Sequence, residues 1–246
     1  MMKRKFAITD CRIPPEMERR LRLLGFDILT LPPSPTLPEA VASHTDMLLL
    51  PLGDEYISVA DYCEVAPHIF TDLCLMLSGR AKLYFTSDKL GCEYPEDAKL
   101  NALRIGDRLF IKSDTASPYV IEKARSMGLK IVPIKQGYPA CTTLKLTDSA
   151  AITADCGMKR ALETEGIRVT LIENGDILLP PYEYGFIGGC AGVFENKIYF
   201  LGDPKTHRSY PDILSACEGE GLEVVSLGDG PLVDLGGIIL SEYDLK

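Results

Sequence analysis

The sequence lacks an excess of positive charge and any long apolar run. Of its 246 residues, 26 are Lys or Arg and 35 are Asp or Glu, which gives a formal net charge of −9. A protein this acidic repels phosphate backbones, and the chain contains no long basic segment, so we expect no nucleic-acid partner. No apolar stretch reaches the ~18 residues that a membrane span requires, so we expect no membrane partner.

Cysteine and histidine are also sparse. The eight cysteines are far below the density of a disulfide scaffold, they include no C-x-x-C pair, and only three histidines accompany them. We therefore predict no metal site. The chain contains no P-loop, no Rossmann glycine triplet, no G-x-S-x-G and no H-E-x-x-H, so no cofactor is predicted. Asp10 interrupts the first apolar run, so we expect no signal peptide and a cytoplasmic protein with reduced thiols.

A repeat organises the chain. Five times, a short apolar strand ends at an aspartate and a helical pattern follows, with 41 to 53 residues between successive aspartates. Because a carboxylate accepts hydrogen bonds from free N–H groups of a first helical turn, we expect each aspartate to cap a helix. The five are Asp10, Asp61, Asp114, Asp155 and Asp203.

Each unit reads as strand–strand–helix–strand, with a polar turn between the first two strands. The interval from Asp203 through the C-terminus back to Asp10 is 53 residues, so the two ends of the chain together form the fifth unit, with its first strand predicted at residues 236–240. We predict a single α/β domain over residues 1–246. Its fold class would be a five-fold pseudosymmetric α/β propeller, closed by pairing of the N- and C-terminal strands. The alternative is an open α/β sheet.

This architecture resembles the pentein fold of the guanidino-group modifying superfamily. That superfamily includes arginine and agmatine deiminases, dimethylarginine hydrolases and amidinotransferases. The segments 188–192 and 228–237 are also similar to a poorly characterised, divergent bacterial branch of pentein-like proteins. The resemblance covers the whole chain as architecture, whereas its motifs are short and local.

In such a ring the starts of the first strands converge on one mouth. Acidic and nucleophilic side chains there suit a planar cation, since a guanidinium pairs with carboxylates through parallel hydrogen bonds. We therefore predict a small cationic guanidino or amidino ligand as the partner. The residues predicted at the mouth are His44, Asp46, Asn101, Cys141, Glu173, Asp176, Cys190 and Asp234.

Two segments among these residues resemble pentein motifs. Residues 173–176 look like the EGGD segment that grips the guanidinium, and His44 with Asp46 looks like the histidine motif HxD. The last strand, where catalytic penteins carry their nucleophile, has no cysteine, and Asp234 lies there instead. The family's order around the ring is recovered if Cys141 is the nucleophile of a circularly permuted site. The resemblance then implies a catalytic pair of Cys141 and His44, with Asp46, Glu173 and Asp176 orienting the substrate.

The sequence leaves two functions open. The first is a cysteine-dependent hydrolase or transferase acting on a guanidino or amidino compound. The second is a catalytically inactive pentein-fold module that binds a ligand or a protein, in which Cys141 is a buried structural thiol and residues 173–176 are a solvated turn. The sequence also leaves two interpretations of Cys190 open: a second thiol site, or a segment in which the backbone approaches its neighbours closely. An aromatic segment with Tyr182, Tyr184 and Phe186 is either a lid or a packed loop.

Overall fold

Five small sheets of the same design make up the fold. A computed structural model describes residues 3–76 and 82–244. The strands are β1 Lys3–Asp10, β2 Phe26–Leu31, β3 Leu50–Pro51, β4 Glu55–Val59, β5 Lys82–Thr86, β6 Leu103–Ile105, β7 Arg108–Ile111, β8 Lys130–Pro133, β9 Thr143–Lys145, β10 Ala150–Thr153, β11 Arg168–Leu171, β12 Ile177–Leu178, β13 Ala191–Phe194, β14 Lys197–Phe200, β15 Glu223–Ser226, β16 Leu232–Val233 and β17 Ile239–Asp244.

Helices connect the second and third strands of each sheet. The helices are α1 Pro15–Leu23, α2 Thr45–Leu48, α3 Ala60–Val65, α4 Pro67–Met76, α5 Pro118–Ser126, α6 Pro139–Thr142, α7 Cys156–Thr164 and α8 Tyr210–Gly219. Four short 3-10 helices cover Glu39–Val41, Glu96–Ala98, Ile187–Cys190 and Pro204–Thr206. The short helices α2 and α6 lie between sheets, and they carry residues of the candidate site.

The five three-stranded sheets have the orders β17-β1-β2, β3-β4-β5, β6-β7-β8, β9-β10-β11 and β13-β14-β15. In each, the middle strand is antiparallel to the first strand and parallel to the third. The predicted strand–strand–helix–strand units are therefore present, and the mixed α/β class is confirmed. The placing of the five sheets around one axis stays a prediction. A sixth, two-stranded sheet pairs β12 with β16.

The two ends of the chain pair as predicted, although the C-terminal strand begins later than expected. Strand β17 runs antiparallel to β1, from Ile239 opposite Ile8 to Asp244 opposite Lys3. Gly236 and Gly237, which the sequence pattern placed in this strand, have φ angles of +71° and +81°. Left-handed residues cannot extend a strand, so the two glycines form the turn that enters β17.

The capping role predicted for the repeated aspartates is correct at two positions and wrong at the others. Asp155 accepts hydrogen bonds from the backbone N–H groups of Gly157 and Met158, and Asp203 accepts one from that of Lys205. Asp61 lies inside α3 and Asp114 pairs with a lysine. Asp10 does not cap α1, because that helix begins five residues later, at Pro15. Its carboxylate is used at the candidate site instead.

Apolar side chains fill the space between the sheets and the helices. The largest cluster of buried residues includes Phe6, Tyr62 and Leu109, and the smaller clusters contain residues of both early and late strands. Within the described ranges, no helix has the length and apolar character needed to cross a membrane.

Candidate active site

A cavity of about 360 Å³ brings together three of the predicted site residues. His44 immediately precedes α2, Cys141 lies in α6, and Asp234 follows β16, and all three line this cavity. The aromatic segment predicted as a lid or a packed loop contributes Tyr182 and Phe186 to the same wall. The cavity therefore combines a thiol, an imidazole and a carboxylate with aromatic side chains.

His44 is enclosed between two carboxylates. Its side chain is 1% exposed, with Nδ1 3.7 Å from Oδ1 of Asp234 and Nε2 4.0 Å from Oδ2 of Asp10. Burial lowers the pKa of His44, and the charges of Asp234 and Asp10 oppose that change. His44 is therefore neutral at pH 7 in the free protein and able to accept a proton.

Asp10 is held by Arg12 at the end of β1. The Asp10 side chain is fully buried, and the Arg12 guanidinium donates to both of its oxygens at 2.5 to 3.2 Å. The backbone N–H of Arg12 donates to Oδ1 at 2.7 Å. This bidentate clamp fixes the position of the Asp10 carboxylate next to the His44 ring.

Cys141 is buried beside an amide. Nδ2 of Asn101 donates to Sγ of Cys141 at 3.1 Å, and Oδ1 of Asn101 accepts from the backbone N–H of Ala140 at 3.0 Å. Burial raises the pKa of the Cys141 thiol well above its usual value, and the charges of Asp46 and Asp234 raise it further. The thiol is thus protonated at neutral pH in the absence of a ligand.

Asp234 is a buried carboxylate with backbone support. Its Oδ2 accepts from the N–H of Phe186 at 2.8 Å, and its Oδ1 accepts from the N–H of Gly236 at 3.1 Å. Burial raises its pKa to about 6, and the nearby His44 opposes the rise. A Cβ at Gly189 would lie 1.7 Å from Oδ1 of Asp234, so only glycine leaves room for this carboxylate.

Asp46 lies in the wall between two cavities. The residue lines a larger cavity of about 870 Å³, while its neighbours His44 and Met47 line the smaller one. Both Asp46 carboxylate oxygens are buried without a hydrogen-bond partner among the described residues. Burial raises its pKa to about 6, with the Cys141 thiol opposing. A buried carboxylate in this state destabilises the protein once it ionises.

The free energy of unfolding of an Asp46→Asn variant is expected to show how much the ionised Asp46 carboxylate destabilises the protein. Because the folded-state pKa is higher than the unfolded one, the wild type loses stability as pH rises from about 4 to about 6. The asparagine does not ionise, so the free energy of unfolding of the variant minus that of the wild type should rise over the same interval. The rise should reach up to about 3 kcal/mol. Urea unfolding at pH 4 and pH 7.5 measures it.

Asp114→Asn is the control for this experiment. The Asp114 carboxyl is exposed, and its hydrogen bond from Lys112 lowers its pKa. The free energy of unfolding of Asp114→Asn minus that of the wild type should therefore change only slightly between pH 4 and pH 7.5, and it should fall rather than rise. An Asp46→Asn difference that is flat with pH would show that Asp46 is not a buried ionising group.

Glu173 and Asp176 do not line the cavity of Cys141. Asp176 accepts hydrogen bonds from the Arg208 side chain at 2.7 and 2.9 Å, and these hydrogen bonds lower its pKa. Glu173 is exposed and lines a separate depression of about 380 Å³ next to the start of α7. The segment that resembles the guanidinium-gripping motif is therefore engaged with Arg208.

Cys190 is buried behind the cavity rather than in its lining. Its Sγ donates to the carbonyl oxygen of Phe186 at 3.1 Å, and burial raises the pKa of the thiol well above its usual value. The neighbouring Gly188 lies against the backbone of α6, since a Cβ there would be 2.0 Å from the carbonyl oxygen of Ala140. The geometry of this glycine segment is that of a close backbone approach.

Several residues of the cavity wall, Asp97 and Tyr138 among them, were not predicted from the sequence. Asp97 lies in the 3-10 helix Glu96–Ala98, and its Oδ2 accepts a hydrogen bond from the Tyr138 hydroxyl at 2.8 Å. Both line the cavity of Cys141 and His44. No motif surrounds Asp97 in the sequence, and its pairing with Tyr138 spans 41 positions, so a local pattern offers no signal for it.

The described part of the chain contains no group of three His, Cys, Asp or Glu side chains arranged to hold a metal ion. All eight cysteines are free thiols. The reactive side chains that line the cavity are a thiol, an imidazole and carboxylates.

The fold is similar to that of several enzymes of known structure. SxtG, an amidinotransferase from Microseira wollei in the saxitoxin biosynthetic pathway, has a TM-score of 0.54 at 13% identity, over 92% of this chain and 81% of that chain. A dimethylarginine dimethylaminohydrolase, determined as an adduct with 4-chloro-2-hydroxymethylpyridine, has a TM-score of 0.54 at 16% identity, over 93% of both chains. AgrE, in a ternary complex with ornithine and NAD+, has a TM-score of 0.52 at 14% identity, over 96% of this chain and 38% of that chain. The resemblance to penteins is thereby confirmed for the fold.

The sequence assigns the chain to a particular family within that fold. It belongs to DUF6873, described as a family of unknown function, whose sequence pattern matches residues 8–239. A comparison with curated proteins found no match. At identities this low, the likeness to solved structures establishes the architecture of this protein and not its reaction.

Proposed function

We propose that this protein is a cysteine-dependent hydrolase or transferase acting on a small guanidino or amidino cation, at a circularly permuted site on a five-bladed propeller. The observation that carries the proposal is the shared cavity of Cys141, His44 and Asp234. None of the described residues that line this cavity is a lysine or an arginine. A planar cation is therefore the ligand whose charge the site complements.

Ligand binding supplies the activation that the free site lacks. In the free protein burial, together with the charges of Asp46 and Asp234, raises the pKa of the Cys141 thiol and keeps it protonated. A guanidinium placed next to these groups offsets their charge, so the pKa of the thiol falls. His44 is neutral and takes the thiol proton. The nucleophile is thus formed only when the substrate is present.

The reaction then proceeds through a covalent intermediate. The Cys141 thiolate forms a bond to the guanidinium carbon, His44 returns its proton to one nitrogen, and the C–N bond breaks to release ammonia or an amine. Cys141 then carries a cationic S-amidino group. For hydrolysis, His44 removes a proton from water, the hydroxide adds to the same carbon, and the C–S bond breaks. The remaining hydroxyl proton returns to Cys141, the product is a urea, and the proton on His44 passes to the released amine.

The second function, an inactive binding module, also has an observation in its favour. The Cys141 thiol is 6% exposed and its pKa is raised well above the usual value, which is typical of an inert structural cysteine. In this alternative the acidic cavity binds a cation without forming a bond to it. The two functions differ in one measurable species, the S-amidino adduct on Cys141.

Acid quenching followed by mass spectrometry tests the proposal. The protein is mixed with a panel of alkylguanidines, amidines, arginine and N-methylated arginines, quenched within seconds, and measured as intact protein and as peptides. We expect an amidino adduct on Cys141 together with release of ammonia or amine. Cys217, a fully buried thiol in α8, is the internal control and should remain unmodified. A ligand that binds without adduct or turnover would favour the inactive module.

A further inference from the structure

The Asn101 side chain joins the two short helices that carry residues of the site. Asn101 lies two residues before β6 and is 1% exposed. Its Nδ2 donates to Sγ of Cys141 in α6 at 3.1 Å, and to the carbonyl oxygen of Asp46 in α2 at 3.4 Å. Its Oδ1 accepts from the backbone N–H of Ala140 at 3.0 Å. The proposed reaction assigns no role to this amide.

The orientation of the Asn101 amide is fixed by Ala140. Only the oxygen of an amide accepts a hydrogen bond, so the bond from the Ala140 N–H turns the NH2 group of Asn101 toward the sulfur. A reversed amide would set two buried N–H donors against each other and leave both unpaired, which is costly. Because Ala140 directly precedes Cys141, the donor is held in place relative to the sulfur.

Asn101 contacts the sulfur from outside the cavity. Cys141 lines the cavity of about 360 Å³, whereas Asn101 does not. A ligand in the cavity therefore meets the thiol without meeting the amide. The amide consequently affects the reactivity of Cys141 rather than the binding of a ligand.

The charges around Cys141 oppose the formation of a thiolate. Burial and the carboxylates of Asp46 and Asp234 raise the pKa of the thiol, whereas the hydrogen bond from Asn101 lowers it. His44 supplies no positive charge in the free protein, because burial lowers its pKa. A hydrogen-bond donor at the sulfur stabilises the charged thiolate more than the neutral thiol. The Asn101 amide is therefore a contact that favours the ionised form.

We propose that Asn101 is the residue that stabilises the Cys141 thiolate during the reaction. This inference rests on the proposed function for the role of Cys141 as the nucleophile. When the thiol proton passes to His44, negative charge appears on Sγ, 3.1 Å from Nδ2 of Asn101. In the S-amidino intermediate the sulfur is bonded to carbon and has lost this charge. When the C–S bond breaks, its electron pair returns to the sulfur, and the amide stabilises that charge until Cys141 is protonated again.

Alkylation of Cys141 by iodoacetamide tests the proposal without a substrate. The rate constant at pH 8.5 is measured by peptide mass spectrometry for the wild type and for Asn101→Leu, which has the same branched shape and no donor. Loss of a hydrogen bond to a charged group lowers the thiolate fraction by about 10- to 100-fold, and the greater nucleophilicity of a more basic thiolate offsets about half of this on a logarithmic scale. We therefore expect alkylation to be about 3- to 10-fold slower. Loosened packing would instead expose the thiol and make alkylation faster.

The Asn101→Asp variant separates the two ends of the amide. It keeps the oxygen that accepts from the Ala140 N–H and replaces the NH2 group by a second oxygen. Alkylation should slow at least as much as in Asn101→Leu, because the donor is lost and a negative charge is added. An amide that serves only to hold α6 would be replaced by aspartate without this loss.

Asn196→Leu is the matched control for the alkylation experiment. Asn196 is exposed in the turn between β13 and β14, so the same substitution there should leave the alkylation of Cys141 unchanged. Thermal unfolding verifies that each variant is folded.

Turnover and binding are expected to respond differently to the loss of the amide. With an alkylguanidine, Asn101→Leu should lower kcat by about 3- to 10-fold, since the weakened group is the thiolate. Affinity is measured by calorimetry in the Cys141→Ala background, with and without Asn101→Leu. It should be unchanged, because the amide does not line the cavity.

The possible outcomes separate this inference from the proposed function. If both Asn101 variants slow alkylation while no guanidine is turned over, the stabilisation of the thiolate stands and the hydrolase or transferase proposal fails. If guanidines are turned over while both variants react at the wild-type rate, the proposed function stands and this inference is overturned. Faster alkylation of Asn101→Leu, wild-type alkylation of Asn101→Asp, or no alkylation of wild-type Cys141 at any pH up to about 10 also overturns it.

Discussion

Replacing Cys141 with alanine is expected to reduce turnover of any guanidino substrate by at least about 10³-fold, since it removes the nucleophile on which every chemical step depends. Substrate binding should persist, because the carboxylates that complement the cation remain in place. Ammonia release measured with saturating substrate gives the loss, and calorimetry gives the affinity.

Cys217→Ala is the matched control for this variant. Both thiols are buried and have a raised pKa, and both substitutions remove the same atom. Cys217 lies in α8, outside the cavity of Cys141, so its loss should cost a little stability and leave turnover unchanged. Equal activity in the two variants would remove Cys141 from the mechanism and leave the inactive module as the better description.

The second large effect is expected at His44. His44→Gln keeps a polar side chain of similar length but can neither accept the thiol proton nor return it to the leaving amine. Loss of general acid–base catalysis is expected to lower turnover of an alkylguanidine by about 10²- to 10⁴-fold. Ammonia release again measures it. A purely structural role for His44 would instead lower the melting temperature and the affinity together.

An S-alkylisothiourea distinguishes the two roles of His44. Its leaving group departs as a thiolate and takes up the proton that the Cys141 thiol gives up, so the first half of the reaction requires less help from His44 than with a guanidine. Water must still be activated in the second half. The His44→Gln protein should therefore accumulate the S-amidino adduct on Cys141 with this probe, detectable by intact mass. If the adduct forms and hydrolyses at the wild-type rate, His44 is not the base for water.

Asp10 and Asp234 explain why the imidazole is suited to both steps. In the proposed reaction a neutral His44 accepts the thiol proton, and the imidazolium that results lies within 4.0 Å of both carboxylates. The two carboxylates differ in support: Arg12 and a backbone N–H hold Asp10, whereas backbone N–H groups hold Asp234. The position where the resemblance to penteins implies a nucleophile is thus occupied here by a carboxylate that lies 3.7 Å from the His44 ring.

Much of the fold followed from local patterns. The apolar strands ending at aspartate, the turn glycines and the closing interval of 53 residues predicted five repeating units and the pairing of the chain ends. The β1–β17 register and the five sheet orders agree with this prediction. The prediction was wrong at Gly236 and Gly237. These two residues adopt left-handed conformations and form a turn, so β17 begins only at Ile239.

The site was less accessible to prediction. His44 and Cys141 were recognisable as chemically competent residue types, and the structure places both at one cavity. Residues 173–176 carried a motif-like pattern, yet Asp176 is bound by Arg208, a partner 32 positions away that the motif does not contain. No sequence pattern pointed to Asp97, because the cavity that this residue lines is formed by segments distant from one another in the chain.

The sequence by itself determined the repeat, the α/β class and the set of reactive side chains, because hydrophobic periodicity, turn chemistry and residue type are local properties. The tertiary structure decided which of these side chains share a cavity and in what protonation state. Burial raises the pKa of Cys141 and Asp234 and lowers that of His44. These shifts depend on solvent exclusion and on charges brought together from distant parts of the chain, and neither quantity is written in the order of the residues.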